Sequence, residues 1–365
     1  LGGNYYVFVR LWQMLPPSPA GRILFIAVAV LLTASPFAAI LAGSSFPPAL
    51  TSAMYKVGTS WLVVFMYLLL TFLVLDIIRA VHILPVGKFM HHSWSGLGIL
   101  IAFMAALLTT GYCRYVHKER VELSLTVAGQ AAGATDNRPL RIVAVSDLHL
   151  GYGIGRKEFE NWIEMINREN PDVVLIAGDV TDNNVAPLYE AKMEELFPLI
   201  RSKYGTFVIP GNHEYIAGVN KAEAFLRRSG VTFLKDSAAL VDDRFYIVGR
   251  DDRSNPERKS IPELTAPLDR TKPVILLDHQ PHNLEEAEQN HIDLQISGHT
   301  HKGQVWPVSL ITKALFELDH GYMKKGNTHY YVSSGLGIWG GKFRIGSRSE
   351  YVVIELKAGG LFPGQ

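Results

Sequence analysis

The sequence predicts an α/β domain preceded by an all-α transmembrane helical region, and three observations carry that reading. Charge is nearly absent from the first third of the chain. Three apolar stretches there are each long enough to cross a bilayer. Beyond residue 113, short apolar runs alternate with amphipathic stretches and stop at residues that ligate metals.

The chain has 365 residues, with 35 Lys or Arg and 34 Asp or Glu. Residues 1–112 hold five of the basic residues (Arg10, Arg22, Lys56, Arg79 and Lys88) and one acid, Asp76. The 30 basic and 33 acidic residues that remain give 113–365 an ordinary globular surface. This distribution excludes a purely soluble protein and a disordered chain. Cys113 is the only cysteine, which excludes an intrachain disulfide and a thiolate metal cluster. The soluble part is slightly acidic and has no basic run, which argues against nucleic acid as a partner. No obligate protein partner is expected.

A bilayer core about 30 Å thick needs roughly 20 apolar residues in a helix. Residues 23–42, 57–78 and 96–113 meet that length, with Pro36 predicting a kink in the first. Read as buried core helices instead, three uncharged runs so close together lack a soluble shell to cover them. Asp76 stands at the end of the second run, where solvation at the interface is expected rather than an intramembrane function. His82, His91 and His92 fall in a connector and read as interfacial side chains rather than a metal site. Residues 3–15 read as the end of a further span clipped at the N-terminus; a removed signal peptide does not account for the later spans. Arg10, Arg22, Arg79 and Lys88 fall on one side of the membrane, against Lys56, Arg114, Lys118 and Arg120 on the other. The positive-inside rule therefore leaves orientation open. Glu119 and Glu122, which dilute the last basic cluster, favour a soluble domain outside the cytoplasm.

In the second part, alternation predicts a strand at 122–127, and small polar residues predict a linker at 129–138. Apolar runs follow at 140–146, 172–177, 206–209, 245–248, 274–277, 292–296, 330–333 and 351–355. Helices are expected at 157–170, with Phe159, Trp162, Ile163 and Ile166 on one face, and at 185–203. The expected domains are thus helical residues 1–112, a connecting strand and linker 113–139, an α/β domain 140–356 and a tail 357–365.

Five of the apolar runs end in metal-ligand residue types: Asp147-Leu148-His149, Gly178-Asp179, Gly211-Asn212-His213-Glu214, Asp278-His279 and Gly298-His299-Thr300-His301. In α/β sheets, ligands gather at the carboxyl ends of strands. An Asp-x-His pair on an extended segment sends both side chains the same way. Glycine before a ligand lets the backbone turn sharply or approach closely. Hard oxygen plus imidazole suits Mn, Fe, Zn, Ni or Co. A single Asp147 or Asp179 reads equally as a helix cap; the ordered set of five is the specific signal.

In that order the motifs resemble the calcineurin-like metallophosphoesterase family, over residues 140–356 or about 60% of the chain. Gly303-Gln304 and Ser334-Gly335-Leu336-Gly337 are similar to its bacterial membrane-associated branch. The resemblance implies a four-layer α-β-β-α sandwich with a two-metal centre, held in the bacterial plasma membrane. It implies that Asp147, His149 and His301 hold one ion, that Asn212, His279 and His299 hold the other, and that Asp179 bridges them. Two such ions, about 3.5–4 Å apart, share a hydroxide that attacks phosphorus in line with the leaving oxygen. His213 matches the family's non-ligand histidine, with a role in transition-state stabilisation or proton donation. Asp182 is read as orienting and charging His213. It stands where purple acid phosphatases carry a tyrosine ligand, so a fixed Fe(III) site is not implied; Mn(II) is favoured, with Zn or Fe as alternatives. Lys302, where the bacterial branch often has glycine, reads as a substrate-phosphate contact or a solvated lysine. His282, His291, His320 and His329 match no element of the pattern and read as surface or satisfied histidines. Ala217, where a zincin helix needs histidine, excludes that protease class. The lack of a Gly-x-x-x-x-Gly-Lys-Ser/Thr motif leaves nothing to suggest NTP-driven transport.

The expected reaction is hydrolysis of a phosphodiester or diphosphate bond, in a phospholipid or lipid-linked substrate. The short tether to the bilayer supports this. So does Val305–Phe316, a mostly apolar stretch that reads either as core or as a segment dipping into the interface beside the site. Lipid-A-pathway enzymes, which split a UDP-diacylglucosamine diphosphate, provide the analogy. Two alternatives stand beside it. One is the same chemistry on a soluble phosphodiester or nucleotide, with the helices only as anchor. The other is a non-catalytic membrane binding or scaffold module, whose signature would be a missing ligand; none is missing.

Overall fold

In the computed structural model, which describes residues 2–42, 46–128 and 138–359, the apolar N-terminal region is all helix. It forms α1 (Gly2–Met14), α2 (Pro19–Ala42), α3 (Pro48–Ala80), α4 (Gly87–Met90) and α5 (Trp94–Val116). By length and composition, α2, α3 and α5 are able to cross a membrane. Their bounds enclose the three runs expected from the sequence. Asp76 departs from the expectation of simple solvation. Its carboxylate accepts a hydrogen bond from Tyr6 Oη at 2.5 Å, pairs with Arg10, and has Arg79 at 3.4 Å. In an apolar helical unit a carboxylate is held by partners because lipid offers none.

The helical unit comprises Leu1–Tyr115 together with Gly340–Ile345. That second segment falls inside the range expected for the α/β domain. Gly340 lies against the Thr59 side chain, and the Arg344 backbone N–H donates to the Gly111 carbonyl at 2.9 Å.

The second unit, Val116–Trp339 with Gly346–Gln365, contains all the strands among the described residues. Its first part comprises β1 (Lys118–Ala128), β2 (Leu140–Val145), α6 (Arg156–Arg168), β3 (Val173–Ile176), α7 (Ala186–Glu190), β4 (Thr206–Val208), α8 (Asn212–Ile216), α9 (Val219–Arg228), β5 (Thr232–Phe233) and β6 (Ser237–Val241). It continues with β7 (Phe245–Gly249), α10 (Ile261–Thr265), β8 (Val274–Leu277), α11 (Glu285–Gln289), β9 (Leu294–Ser297), α12 (Val308–Leu315), β10 (Gly321–Lys325), β11 (Thr328–Val332) and β12 (Ser349–Gly359).

These strands form two six-stranded sheets, ordered β1-β12-β2-β3-β4-β5 and β10-β11-β9-β8-β7-β6. Ile142, Leu175 and Phe207 of the first sheet share one core with Ile247, Ile275 and Leu294 of the second. Outside the first sheet, α6 buries Phe159, Trp162, Ile163 and Ile166, the face read from the sequence. Each such side chain contributes about 1.5–3 kcal/mol. Outside the second sheet, Ile261 and Leu264 of α10 pack with Val248, Leu276 and Tyr330. The architecture is the mixed α/β, four-layer sandwich expected.

Local differences have local causes. The helix expected at 185–203 is broken into α7 and two short 3₁₀ turns, Met193–Glu195 and Phe197–Leu199. Lys192 adopts a left-handed φ of 50° between them, and Pro198 has no N–H to continue a helix. The expected connecting strand is an integral part of the first sheet: β1 pairs in parallel with β12 from Lys118↔Ser349 to Ala128↔Gly359. That pairing carries β12 through residues 357–359, which the sequence assigned to a tail. The linker expected at 129–138 lies outside the described residues except for Arg138, as does the tail beyond 359.

Candidate metal centre

Strands β2, β3 and β4 run parallel in one sheet, and β8 and β9 run parallel in the other. Their carboxyl ends carry the five motifs. Side chains up to 152 residues apart in sequence therefore meet, as in His149 Nε2 and His301 Nε2 at 3.1 Å. Asp147, His149 and His301 form one group able to hold a metal ion, and Asp179, His279 and His299 form a second. A third group, His149, Asp179 and His213, links them. Asn212 joins the second: its Oδ1 lies 2.8 Å from His299 Nδ1 and 3.2 Å from His279 Nε2. Asp179 Oδ2 is central, 3.1 Å from His279 Nε2 and 3.8 Å from His149 Nε2.

The backbone is bent to achieve this. Asp147 and His149 have φ of 53° and 47°, so the Asp-x-His pair converges through left-handed turns and not along an extended segment. Asp179, His299 and His301 are also left-handed, at 54°, 70° and 49°. Such conformations in non-glycine residues cost energy and cluster at functional sites. The preceding glycines act in two ways. Gly178 turns at φ 87°, whereas Gly298 provides space, because a Cβ there would lie 2.4 Å from Asp147 Oδ2.

The buried carboxylates and imidazoles shift one another strongly. Burial alone would raise the Asp179 pKa, but His279, His213 and His149 hold it below the usual carboxylate range. Burial opposes charging of His279 as well, yet Asp179 drives its pKa well above normal. Burial, then His279, lowers His299 to about 4. Asp147 is raised by burial, with Asp179 adding to the effect. Two facing imidazole Nε2 atoms, as in His149 and His301, cannot both carry hydrogen; each lone pair suits a divalent cation between them. The donor set therefore fits metal ions of the borderline, oxygen-and-imidazole class.

His213 donates Nδ1–H to the Asp182 carbonyl at 3.1 Å. The Asp182 carboxylate is placed differently from the simple sequence picture. Its Oδ1 is 3.6 Å from His213 Nδ1 and 3.7 Å from His149 Nδ1, close to both rings but beyond hydrogen-bond distance of either. Lys302 follows His301 with φ 51°, and its backbone N–H donates to Thr300 Oγ1. Asp278 faces away from the ligands and pairs with Arg250 and Arg258, each at 3.1 Å. His320 is satisfied by Glu350, and His329 by the Tyr322 hydroxyl and the Thr126 carbonyl.

Sequence reading placed Glu214 in a motif but gave it no role. Its fully buried carboxylate accepts the backbone N–H groups of Asp179, Thr181 and Gly211 at 3.0, 2.8 and 2.7 Å. It thereby pins the Asp179 turn to the Gly211 turn. Burial, with Asp179 nearby, raises its pKa to about 7. The available signal was its spacing: a glutamate three residues after Gly211 is the return half of a capping box. Phe316, edge-on to His299 at 6.1 Å between ring centres, carried no signal of this kind.

A sandwich with imidazole and carboxylate donors at aligned strand ends defines a metal-binding α/β domain, and comparison with known proteins makes the class specific. The calcineurin-like phosphoesterase family matches residues 140–303. An uncharacterized metallophosphoesterase of Helicobacter pylori is 36% identical over 228 residues, covering 60% of this chain and 60% of that protein. One of Aquifex aeolicus is 35% identical, covering 60% of this chain and 86% of its own length. A Danio rerio transmembrane protein with metallophosphoesterase domain is 35% identical over 60% of this chain and 53% of that protein. The chain belongs to the calcineurin-like metallophosphoesterase family, and it spans about three fifths of the length of the Helicobacter relative.

Proposed function

We propose that this chain is a membrane-anchored, two-metal phosphoesterase that hydrolyses a phosphodiester or diphosphate bond of a phospholipid or lipid-linked substrate. The observation that carries this reading is the pair of donor groups that meet around Asp179. In this reading Asp147, His149 and His301 would hold one ion, Asn212, His279 and His299 would hold the second, and Asp179 would serve both. Two divalent ions bound there supply an activated water and neutralise charge on the phosphoryl oxygens. Manganese is our assignment, with zinc and iron as alternatives that the same donors accept.

The remaining work falls to the chain's own groups. With Nδ1–H committed to the Asp182 carbonyl, His213 presents Nε2 toward the site; its imidazolium form would protonate the leaving oxygen or stabilise developing charge, although burial works against that form. Asp182 is a positioning residue for His213 and His149. Lys302, next to His301, is assigned to the substrate's phosphate. Support for a lipid substrate comes from the three apolar helices and from the single residue, His117, between α5 and β1. We assign the chain to a bacterial plasma membrane, with the sandwich outside the cytoplasm, because Glu119 and Glu122 dilute the basic cluster that follows α5.

The test is hydrolysis by detergent-solubilised, metal-stripped protein refilled with Mn, Zn, Fe or Mg. Substrates are a chromogenic phosphodiester, a chromogenic monoester and a phospholipid panel. Metal-dependent turnover, greatest on a member of the lipid panel, is expected. Turnover of water-soluble diesters alone sinks the lipid assignment. No turnover with two ions bound sinks the enzyme.

A further inference from the structure

Helix α12 turns its apolar side outward. None of its eight residues is buried. Leu310, Ile311 and Leu315 are 60%, 57% and 67% exposed, and Trp306, just before the helix, is 51% exposed. Positions 310, 311 and 315 fall on one stripe of a 3.6-residue repeat, the stripe that a helix of a water-facing domain turns toward its core.

The segment is firmly anchored. Thr300 Oγ1 donates to the Asp319 carbonyl at 2.6 Å, and Thr312 Oγ1 donates to Asp319 Oδ2 at 2.9 Å. Val305 bridges Gly346. Beyond the helix, Phe316 packs on His299 and, at 4.7 Å between ring centres, on His282. The outward stripe therefore belongs to the same fixed structure as a residue of the second donor group.

The chain itself indicates what covers the stripe. It carries three helices able to cross a membrane, and only His117 lies between the last of them and β1. An indole followed by exposed Leu and Ile, with Lys313 on the same helix, is the composition of segments that lie in the headgroup–acyl boundary.

We propose that α12, with Trp306, is an interfacial helix. Leu310, Ile311 and Leu315 insert into the surface of the bilayer that holds the spans. Phe316 then keeps the His299 side of the donor cluster at the level of the lipid phosphates. The inference rests on the membrane reading of the three helices and deepens the proposed lipid specificity.

The full chain in nanodiscs of phosphatidylcholine and phosphatidylglycerol, open to solvent on both faces, provides the test. In a Cys113→Ser background, Leu310→Cys, Ile311→Cys and Leu315→Cys are each labelled with an NBD fluorophore. Leu240→Cys, at an exposed edge-strand position, is the control. Lipid-borne nitroxide is expected to quench the three α12 labels. Dithionite is expected to reduce them on the order of tenfold more slowly than the control, because insertion by about 5–10 Å removes a label from water. Equal reduction rates at all four positions, without lipid quenching, overturn the proposal. The double variant Leu310→Asp, Ile311→Asp changes only exposed residues. It is expected to keep turnover of a soluble chromogenic diester while losing most turnover of phospholipid in the disc. Protected labels in a chain that turns over neither substrate would refute the phosphoesterase reading and leave the interfacial helix standing. Exposed labels in a chain active on the soluble diester would do the reverse.

Discussion

In the helical unit, Ile23 and Leu31 are 70% and 68% exposed, whereas in the sandwich Asp147 and His279 are completely buried. Each region thus inverts the usual placement of polar and apolar groups, for a different reason. In a bilayer, lipid would be as apolar as the helix surface, so outward Ile and Leu would carry no penalty there, and the rare charge would be the group that needs a partner. Asp76 finds three, in Arg10, Tyr6 and Arg79. The sandwich has water outside and an apolar core inside, so its buried Asp and His side chains need compensation of their own. They cluster where each carboxylate faces an imidazole and where cations would complete the balance. An inverted burial pattern suits a lipid surrounding in one region and polar chemistry in the other.

Four substitutions test that contrast. Asp179→Asn should have the largest effect. Losing the carboxylate assigned to both ions should forfeit several kcal/mol of charge stabilisation, on the order of 10⁴-fold in turnover. Metal analysis should show fewer than two ions per chain. Turnover near wild type with both ions retained would remove Asp179 from its assigned role. His213→Ala should lower turnover on the order of 10²-fold at unchanged metal content. A loss of metal would move His213 into the ligand set.

Arg10→Ala tests the helical unit. It should destabilise that unit by about 1–3 kcal/mol, the cost of leaving a charged group short of a partner, and leave hydrolysis of a soluble substrate unchanged. An unaltered melting profile would mean that Asp76 is simply solvated. The smallest effect is expected for Asp293→Asn. Burial raises this carboxyl to about 6, although it accepts the Val274 backbone N–H. The stability linked to its protonated form is fully present below its unfolded pKa and is lost as pH rises through about 6. The variant should therefore melt about 2–4 °C higher at pH 7, with little difference at pH 4. A gain at pH 4 and none at pH 7 would reverse the sign.

Much of this was legible in the chain because the signals are local. The three spans follow from uninterrupted apolar length. The core face of α6 follows from Phe159, Trp162, Ile163 and Ile166 at helical spacing. The ligand motifs stand out because each interrupts an apolar run with Asp, Asn or His. Where one residue alters a local pattern, the reading weakened: Lys192 and Pro198 break a helix that periodicity alone would continue. The role of Glu214 was not legible because a buried carboxylate that gathers backbone N–H groups resembles any surface glutamate until its partners are folded around it.

Sequence alone determined the kind of each segment and the order of its candidate ligands, since composition and period depend on near neighbours in the chain. It could not determine convergence. Only the parallel pairing of β2, β3 and β4, and of β8 and β9, brings five separate strand ends to one place. Only packing assigned residues 340–345 to the helices, brought the Asp182 carbonyl to His213, and turned Leu310, Ile311 and Leu315 outward. These depend on contacts between residues tens to hundreds of positions apart, which no local pattern encodes.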